Sequence, residues 1–268
     1  MNLSCLPVSI YAELISGAMT ITDWAEFAHD AGFDAIDLSV LITRNIEKRK
    51  LEKLNLRLPV DTIATYTDFT NPDIKIRENE FEQLKQDIED AEQFGAKYLR
   101  ITSGQDHPEI ARETGIALTV EYFKRAAEFV KNNNVKLLFE NHSKPGLWQY
   151  YDFAGFPNVY FEIVEHIADS NIDLLFDTAN ALVYKQNPVA MMNKIYPRIK
   201  RIHLNDIKRV GILEPVGIGD GIVDFKTILK YLKGQNYQGA LSIEEASFLG
   251  LEGIRRAAKT VSNLLNNT

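Results

Sequence analysis

The sequence predicts an α/β fold, a single (β/α)8 TIM barrel spanning residues 1–268. Three observations lead there. Short β-rich apolar runs alternate with longer amphipathic stretches along the chain. Eight such pairs share 268 residues, or about 33 each, a spacing that suits strand-helix units of a parallel sheet. No glycine-rich phosphate turn follows the first strand, where an open doubly wound sheet commonly has one.

The first strand is read at residues 3–9 and its helix at 22–31, stopped by Gly32. Strand 33–39 precedes helix 45–54, and strand 60–66 precedes a long charged helix at 75–94, which Gly95 ends. Strand 97–102 leads to helix 109–131, stopped by Asn132, Asn133 and Asn134. The apolar run 135–139 enters Glu140 and is followed by helix 159–168. Strand 172–176 is followed by helix 189–196 behind Pro188, whose fixed φ suits a first turn. Strand 199–204 pairs with helix 224–232, and strand 240–243 with the closing helix 249–265.

Two loops stand out. Trp148, Tyr150, Tyr151, Phe153 and Phe156 make one segment aromatic enough for a lid, a wall against a sugar face, or a partner interface. Residues 217–221 are glycine-rich, as a tight turn or as a loop that shapes a site.

Composition narrows the function. Apolar residues at 45% and charged residues at 25% are the balance of a soluble globular enzyme. A net charge of -7 opposes a phosphate backbone, and the basic run 44–53 is broken by Glu47 and Glu52, so no nucleic-acid partner is expected. A lone cysteine, Cys5, fits a reducing compartment. With no leader-like start and no apolar stretch of about 18 residues, the expectation is a cytoplasmic protein without a membrane partner. A homo-oligomer is compatible with all of this.

Four late strands end in residues that bind metals: Phe139-Glu140, Phe176-Asp177, Ile202-His203 and Ile243-Glu244. A carboxylate directly after a buried run is costly to leave charged and unpaired, and a shared cation supplies the partner. The gaps of 37, 26 and 41 residues each approximate one repeat, so the four recur by structural unit and converge on one barrel mouth. Taken singly, each has an ordinary structural role: a glutamate pairs with an arginine, an aspartate caps a helix, a histidine packs in a core. Three carboxylates and an imidazole form a hard, oxygen-rich set for one divalent metal ion, Mn²⁺ or Mg²⁺ first, with Co²⁺ or Zn²⁺ as alternatives. Such an ion polarises a carbonyl while a carboxylate removes the neighbouring proton. His29 and His166 fall inside helices, and His107 before Pro108 reads as a loop residue.

The order and spacing of Phe139-Glu140-Asn141-His142, Asp177-Thr178-Ala179-Asn180, His203-Leu204-Asn205-Asp206, Gly217-Ile218-Gly219, Val223-Asp224-Phe225 and Gly239-Ala240-Leu241-Ser242-Ile243-Glu244 resembles the xylose isomerase-like superfamily over essentially the whole chain. That superfamily holds sugar isomerases and epimerases, inosose dehydratases and apurinic endonucleases. The resemblance to ketose 3-epimerases implies that Glu140 and Glu244 are catalytic acid/base groups as well as ligands. It also implies that Arg209, six positions past His203, binds substrate. Asn180 and Gly146 stand where those epimerases usually carry a histidine and a glutamate. Asn180 still hydrogen-bonds a hydroxyl, and His142, two residues past Glu140, is read either as a residue facing the mouth, binding substrate or acting as a second acid/base group, or as an ordinary loop histidine. Of the adjacent Glu244 and Glu245, only Glu244 should reach the metal. Glu13, Asp37 and Tyr66 are weaker candidates for the opposite rim.

The leading expectation is a metal-dependent isomerase or epimerase acting on a small carbohydrate, free or phosphorylated, through an enediolate. An inosose or keto-acid dehydratase on the same metal site, and a non-catalytic sugar-binding protein, are the alternatives. An apurinic endonuclease needs more histidines and a positive surface than five histidines and a charge of -7 provide.

Overall fold

A run such as Leu137-Leu138-Phe139 has no polar face, so a strand made from it must be covered on both sides. The computed structural model, which describes residues 1–45 and 55–267, meets that requirement with a barrel. Its strands are β1 (Leu3–Leu6), β2 (Ile36–Ser39), β3 (Val60–Ala64), β4 (Tyr98–Ile101), β5 (Lys136–Glu140), β6 (Ile172–Asp177), β7 (Ile199–Leu204) and β8 (Ala240–Glu244). They run parallel in the order β1-β8-β7-β6-β5-β4-β3-β2. The circle nearly closes. Where β1 meets β2, the Asp34 N–H donates to the Leu3 carbonyl and the Leu3 N–H to Asp34 Oδ2, both at 2.8 Å.

The outer helices are α1 (Ile21–Asp30), α2 (Ile74–Gln93), α3 (Arg112–Phe129), α4 (Pro157–His166), α5 (Pro188–Ile195), α6 (Phe225–Gly234) and α7 (Gly250–Asn266). Each begins and ends within a few residues of the sequence expectation. Helix 45–54 lies, after Asn45, outside the described residues. The start of α1 is set by a capping box: Thr20 Oγ1 accepts from the Asp23 N–H at 3.1 Å, and Asp23 Oδ2 from the Thr20 N–H at 3.0 Å. Three short helices, Tyr11–Ser16, Val40–Thr43 and Thr178–Val183, were not expected. The first strand is also shorter than read, because the chain turns at Pro7 into a 3₁₀ turn at Val8–Ile10.

The apolar core lies between the sheet and the helices. Cys5, Ile63, Leu99, Phe139, Phe176 and Ile202 belong to it, on the outward faces of their strands. Inside the barrel the floor is polar. Arg201 Nη2 donates to Ser4 Oγ at 2.5 Å and sits 3.3 Å from Asp37 Oδ2, while Nη1 pairs with Asp61. Asp37 also accepts from Ser4 Oγ at 2.6 Å and from the Thr62 N–H at 3.1 Å. Asp37 therefore belongs to the floor rather than to the rim of the mouth.

Arg201 is the single cation of this buried network among the described residues. Arg201→Met should strand Asp37 and Asp61 and cost about 3–5 kcal/mol, read from the urea unfolding midpoint. A loss below about 1 kcal/mol would show that the network carries no ionic stabilisation.

Candidate metal centre

Glu140, Asp177 and Glu244 close β5, β6 and β8, and His203 is the last residue but one of β7. Strand register brings them together. Glu140 pairs with Leu175, two residues before Asp177; Asp177 pairs with His203; His203 pairs with Ser242, two residues before Glu244. Alternate residues of a strand share a face, so all four side chains enter the barrel. One donor atom from each lies within 4.8 Å of the other three.

His203 Nδ1 is 2.8 Å from Glu140 Oε1 and 3.1 Å from Glu244 Oε2. Asp177 Oδ1 caps the helix Thr178–Val183 by accepting from the Asn180 N–H at 2.5 Å, which combines the ordinary role of an aspartate with a place in the cluster. Asp177 Oδ2 and Glu140 Oε2 are buried without a hydrogen bond. A buried carboxylate oxygen left in that state is costly. The residues fit a divalent ion: two vacant acceptor oxygens, one imidazole nitrogen and a third carboxylate face one point.

Charge in the cluster is unevenly held. Burial pushes the Asp177 carboxyl well above the usual carboxylate range, and the charges of Glu244 and Glu140 push the same way. Burial also opposes ionisation of Glu140, but Arg100 and His203 outweigh it and hold this group at about 2. For His203 burial disfavours the cation, yet Glu140 and Glu244 raise it to about 10. A proton on His203 thus supplies part of the positive charge that the three carboxylates call for.

Arg100 was not singled out from sequence. Its guanidinium is buried in β4, with Nε 3.1 Å from Glu140 Oε2 but not aligned for a hydrogen bond, and Nη1 donates to the Thr65 carbonyl at 2.6 Å. It lies 4.8 Å over the Tyr66 ring. The available signal was a charge inside the apolar run Tyr98-Leu99-Arg100-Ile101.

The remaining candidates divide. His142 and Asn180 are buried near the cluster, and Ser143 Oγ donates to Asn180 Oδ1 at 2.5 Å. Asn141 ties β5 to β6: it accepts from the Asp177 N–H at 2.7 Å and donates to the Asp177 carbonyl at 3.0 Å. Glu245 turns away from the metal cluster, and its Oε1 accepts from the Ser247 N–H at 3.1 Å. Arg209 is not brought to the cluster. It is exposed beyond β7 and pairs with Glu214 at 3.1 Å. Glu13 is exposed on its short helix, and His107 is tied to Asp68 at 2.9 Å.

The glycine-rich loop is organised by a carboxylate. Asp206 accepts from the N–H groups of Gly219, Gly221 and Val223 at 3.0, 3.0 and 3.1 Å. A Cβ at Gly221 would meet Asp206 Oδ1 at 2.2 Å, so only glycine fits there. In the aromatic segment Trp148 and Phe153 are buried, while Tyr151 and Phe156 are exposed. Among the described residues no helix is long and apolar enough to cross a membrane.

A model of the xylose isomerase-like TIM barrel family matches residues 25–263. An inosose dehydratase of Clostridium beijerinckii is 27% identical over 144 residues, covering 47% of this chain and 46% of that protein. The match thus spans less than half the length of that relative. The IolI protein, solved with a zinc atom bound, superposes with a TM-score of 0.82 at 18% identity, covering 100% of this chain and 99% of that one. An L-ribulose 3-epimerase gives 0.78 at 17% identity, covering 100% and 95%. At these identities the structural likeness is one of fold.

Because a metal must displace the His203 proton, loading at neutral pH should release about one proton or more per chain. Affinity should rise with pH toward about 10. Calorimetry in buffers of different ionisation heat measures both, and zero release would contradict the assignment. In the metal-free protein the same group gives stability that is full below its unfolded value of 6.5 and is lost as pH rises through about 10.

Proposed function

The chain belongs to the xylose isomerase-like TIM barrel family, and on that footing we propose that it is a divalent-metal-dependent carbohydrate isomerase or epimerase, moving a proton next to a carbonyl through an enediolate. The observation that carries this reading is the cluster of Glu140, Asp177, His203 and Glu244, with two buried carboxylate oxygens lacking any hydrogen bond. A divalent ion held there, Mn²⁺ or Mg²⁺ by the donor set, would polarise a substrate carbonyl and stabilise negative charge as it develops.

The chain's own groups supply the proton transfers. Glu244 is the one member of the cluster that is not buried, with its side chain 20% exposed, so it is the carboxylate a substrate carbon reaches first. It takes the proton from the carbon beside the carbonyl, and the electron pair of that C–H bond passes into the enediolate. In an epimerisation the proton on Glu244 passes to solvent, and the other face of the enediolate takes a proton from water relayed through Glu140, which Arg100 braces and which ends the step ionised again. His142 and Asn180 offer hydrogen bonds to substrate hydroxyls. The Arg209–Glu214 pair is exposed and therefore weak, which leaves Arg209 free to exchange Glu214 for a substrate oxygen.

A second reading shares the first half of this path. The Clostridium beijerinckii relative is an inosose dehydratase, and loss of a hydroxide from the same enediolate, instead of reprotonation, would make this chain a dehydratase.

A screen of free and phosphorylated ketoses and inososes in D₂O with Mn²⁺ separates the two. Isomerisation places deuterium beside the carbonyl, and dehydration yields a product lighter by one water. Glu244→Gln should slow either by about 10²–10⁴-fold. Sugar binding without exchange or water loss for any substrate would defeat both readings and leave a non-catalytic carbohydrate-binding protein.

A further inference from the structure

Two residues past Glu140, the His142 ring is held by a carboxylate that the reading above leaves without a role. Asp152 is fully buried. Its Oδ1 accepts from Ser103 Oγ and, at 2.9 Å, from the Ala154 N–H, while its Oδ2 lies 3.3 Å from His142 Nδ1. The loop that carries it is clamped on both sides: the Asp152 N–H donates to the Ser143 carbonyl at 2.6 Å and the Phe153 N–H to the Gly104 carbonyl at 2.8 Å. Gly104 has a φ of +123°, and a Cβ there would come within 2.4 Å of Thr70 Oγ1, so the strand-end loop that anchors Phe153 requires glycine where it packs on the loop after β3.

The imidazole stands edge-on to Trp148, with ring centroids 5.8 Å apart, and 6.4 Å from the Tyr66 ring that lies under Arg100. His142 therefore shares a wall with Glu140. Among the described residues its Nε2 has no hydrogen-bond partner, and it is not among the buried atoms lacking one, so it is open to the mouth. Asp152 already accepts from Ser103 Oγ and the Ala154 N–H, and as an acceptor toward the ring as well it places the hydrogen on the nitrogen facing it, so the opposite nitrogen keeps its lone pair. The same logic orients the histidine of a hydrolase triad.

We propose that Asp152 is a positioning residue that holds His142 in the Nδ1–H tautomer and presents Nε2 to a substrate hydroxyl, making His142 a third proton-transfer group beside Glu140 and Glu244. The proposal rests on the carbohydrate proton-transfer reading and deepens it. In the step, the O–H bond beside the carbonyl breaks, its electron pair stays on oxygen, and the proton forms a bond to Nε2. Asp152 meets the charge of the imidazolium. Delivery of that proton to the neighbouring oxygen, as a glutamate moves the carbon-bound proton, shifts the carbonyl by one carbon with all atoms accounted for.

Nitrogen NMR on the full chain, labelled with ¹⁵N-histidine and loaded with Mg²⁺ under mildly alkaline conditions, reads the tautomer directly, with His142→Gln assigning the signal. The expected spectrum shows a protonated Nδ1 and a bare Nε2 for His142. Asp152→Asn should convert part or all of the population to the Nε2–H form and lower kcat by about 10²–10⁴-fold, with KM and Mg²⁺ affinity changed by less than about threefold. Ser103→Ala, which leaves the carboxylate in place, should keep the tautomer and lose less activity than Asp152→Asn. An Nε2–H form or a doubly protonated ring in the unmodified protein would overturn the proposal, as would an unchanged kcat in a folded Asp152→Asn variant. The tautomer is read without substrate, so it decides the role of Asp152 even if the exchange screen finds no reaction.

Discussion

Three carboxylates held within 4.8 Å of one another inside a barrel repel strongly, because little water remains to screen them. The arrangement persists only if positive charge is supplied at the same point. In the metal-free chain, a proton on His203 and the guanidinium of Arg100 supply part of it. Neither aligns a hydrogen bond to Asp177 Oδ2 or Glu140 Oε2. That unmet demand fits the cluster for a divalent ion and distinguishes it from the structural ion network at the floor.

The barrel separates two kinds of buried polarity. At the floor, the donors and acceptors around Asp37 and Arg201 are largely matched, and the network ties β1, β2 and β7 across the seam where the sheet does not fully pair. At the mouth, acceptors outnumber donors and a histidine nitrogen is left open. This follows the general division of such barrels, in which one end carries stability and the carboxyl ends of the strands carry chemistry. It also assigns opposite functions to the two buried arginines: Arg201 completes a structure, and Arg100 braces a ligand.

Much of this was legible from residue order. Apolar runs of strand length ending in Glu140, Asp177, His203 and Glu244 disclose both the repeat and the four side chains that converge, since the period of two and the spacing of one unit are local properties of the chain. What stayed hidden is long-range. Asp152 finds Ser103 49 residues away and Asp37 finds Arg201 164 residues away, and no local pattern names such partners. Arg100 and Asp206 are single charges whose meaning depends on register and on a loop wrapped around them. The short helix Thr178–Val183 exists because Asp177 caps it, and a residue that serves two roles shows only one of them in sequence. Arg209 is a case of the converse: its spacing places it after β7, but its exposure and its pairing with Glu214 depend on how the antiparallel pair Asp206–Ile207 and Pro215–Val216 folds the chain back.

The claim beneath all of this is that a single cation occupies the point shared by those four side chains. Anomalous-difference maps from crystals grown with Mn²⁺ test it without reference to any substrate. The account requires one strong peak in contact with Glu140, Asp177, His203 and Glu244; a map without that peak, or with manganese bound only elsewhere, would contradict it.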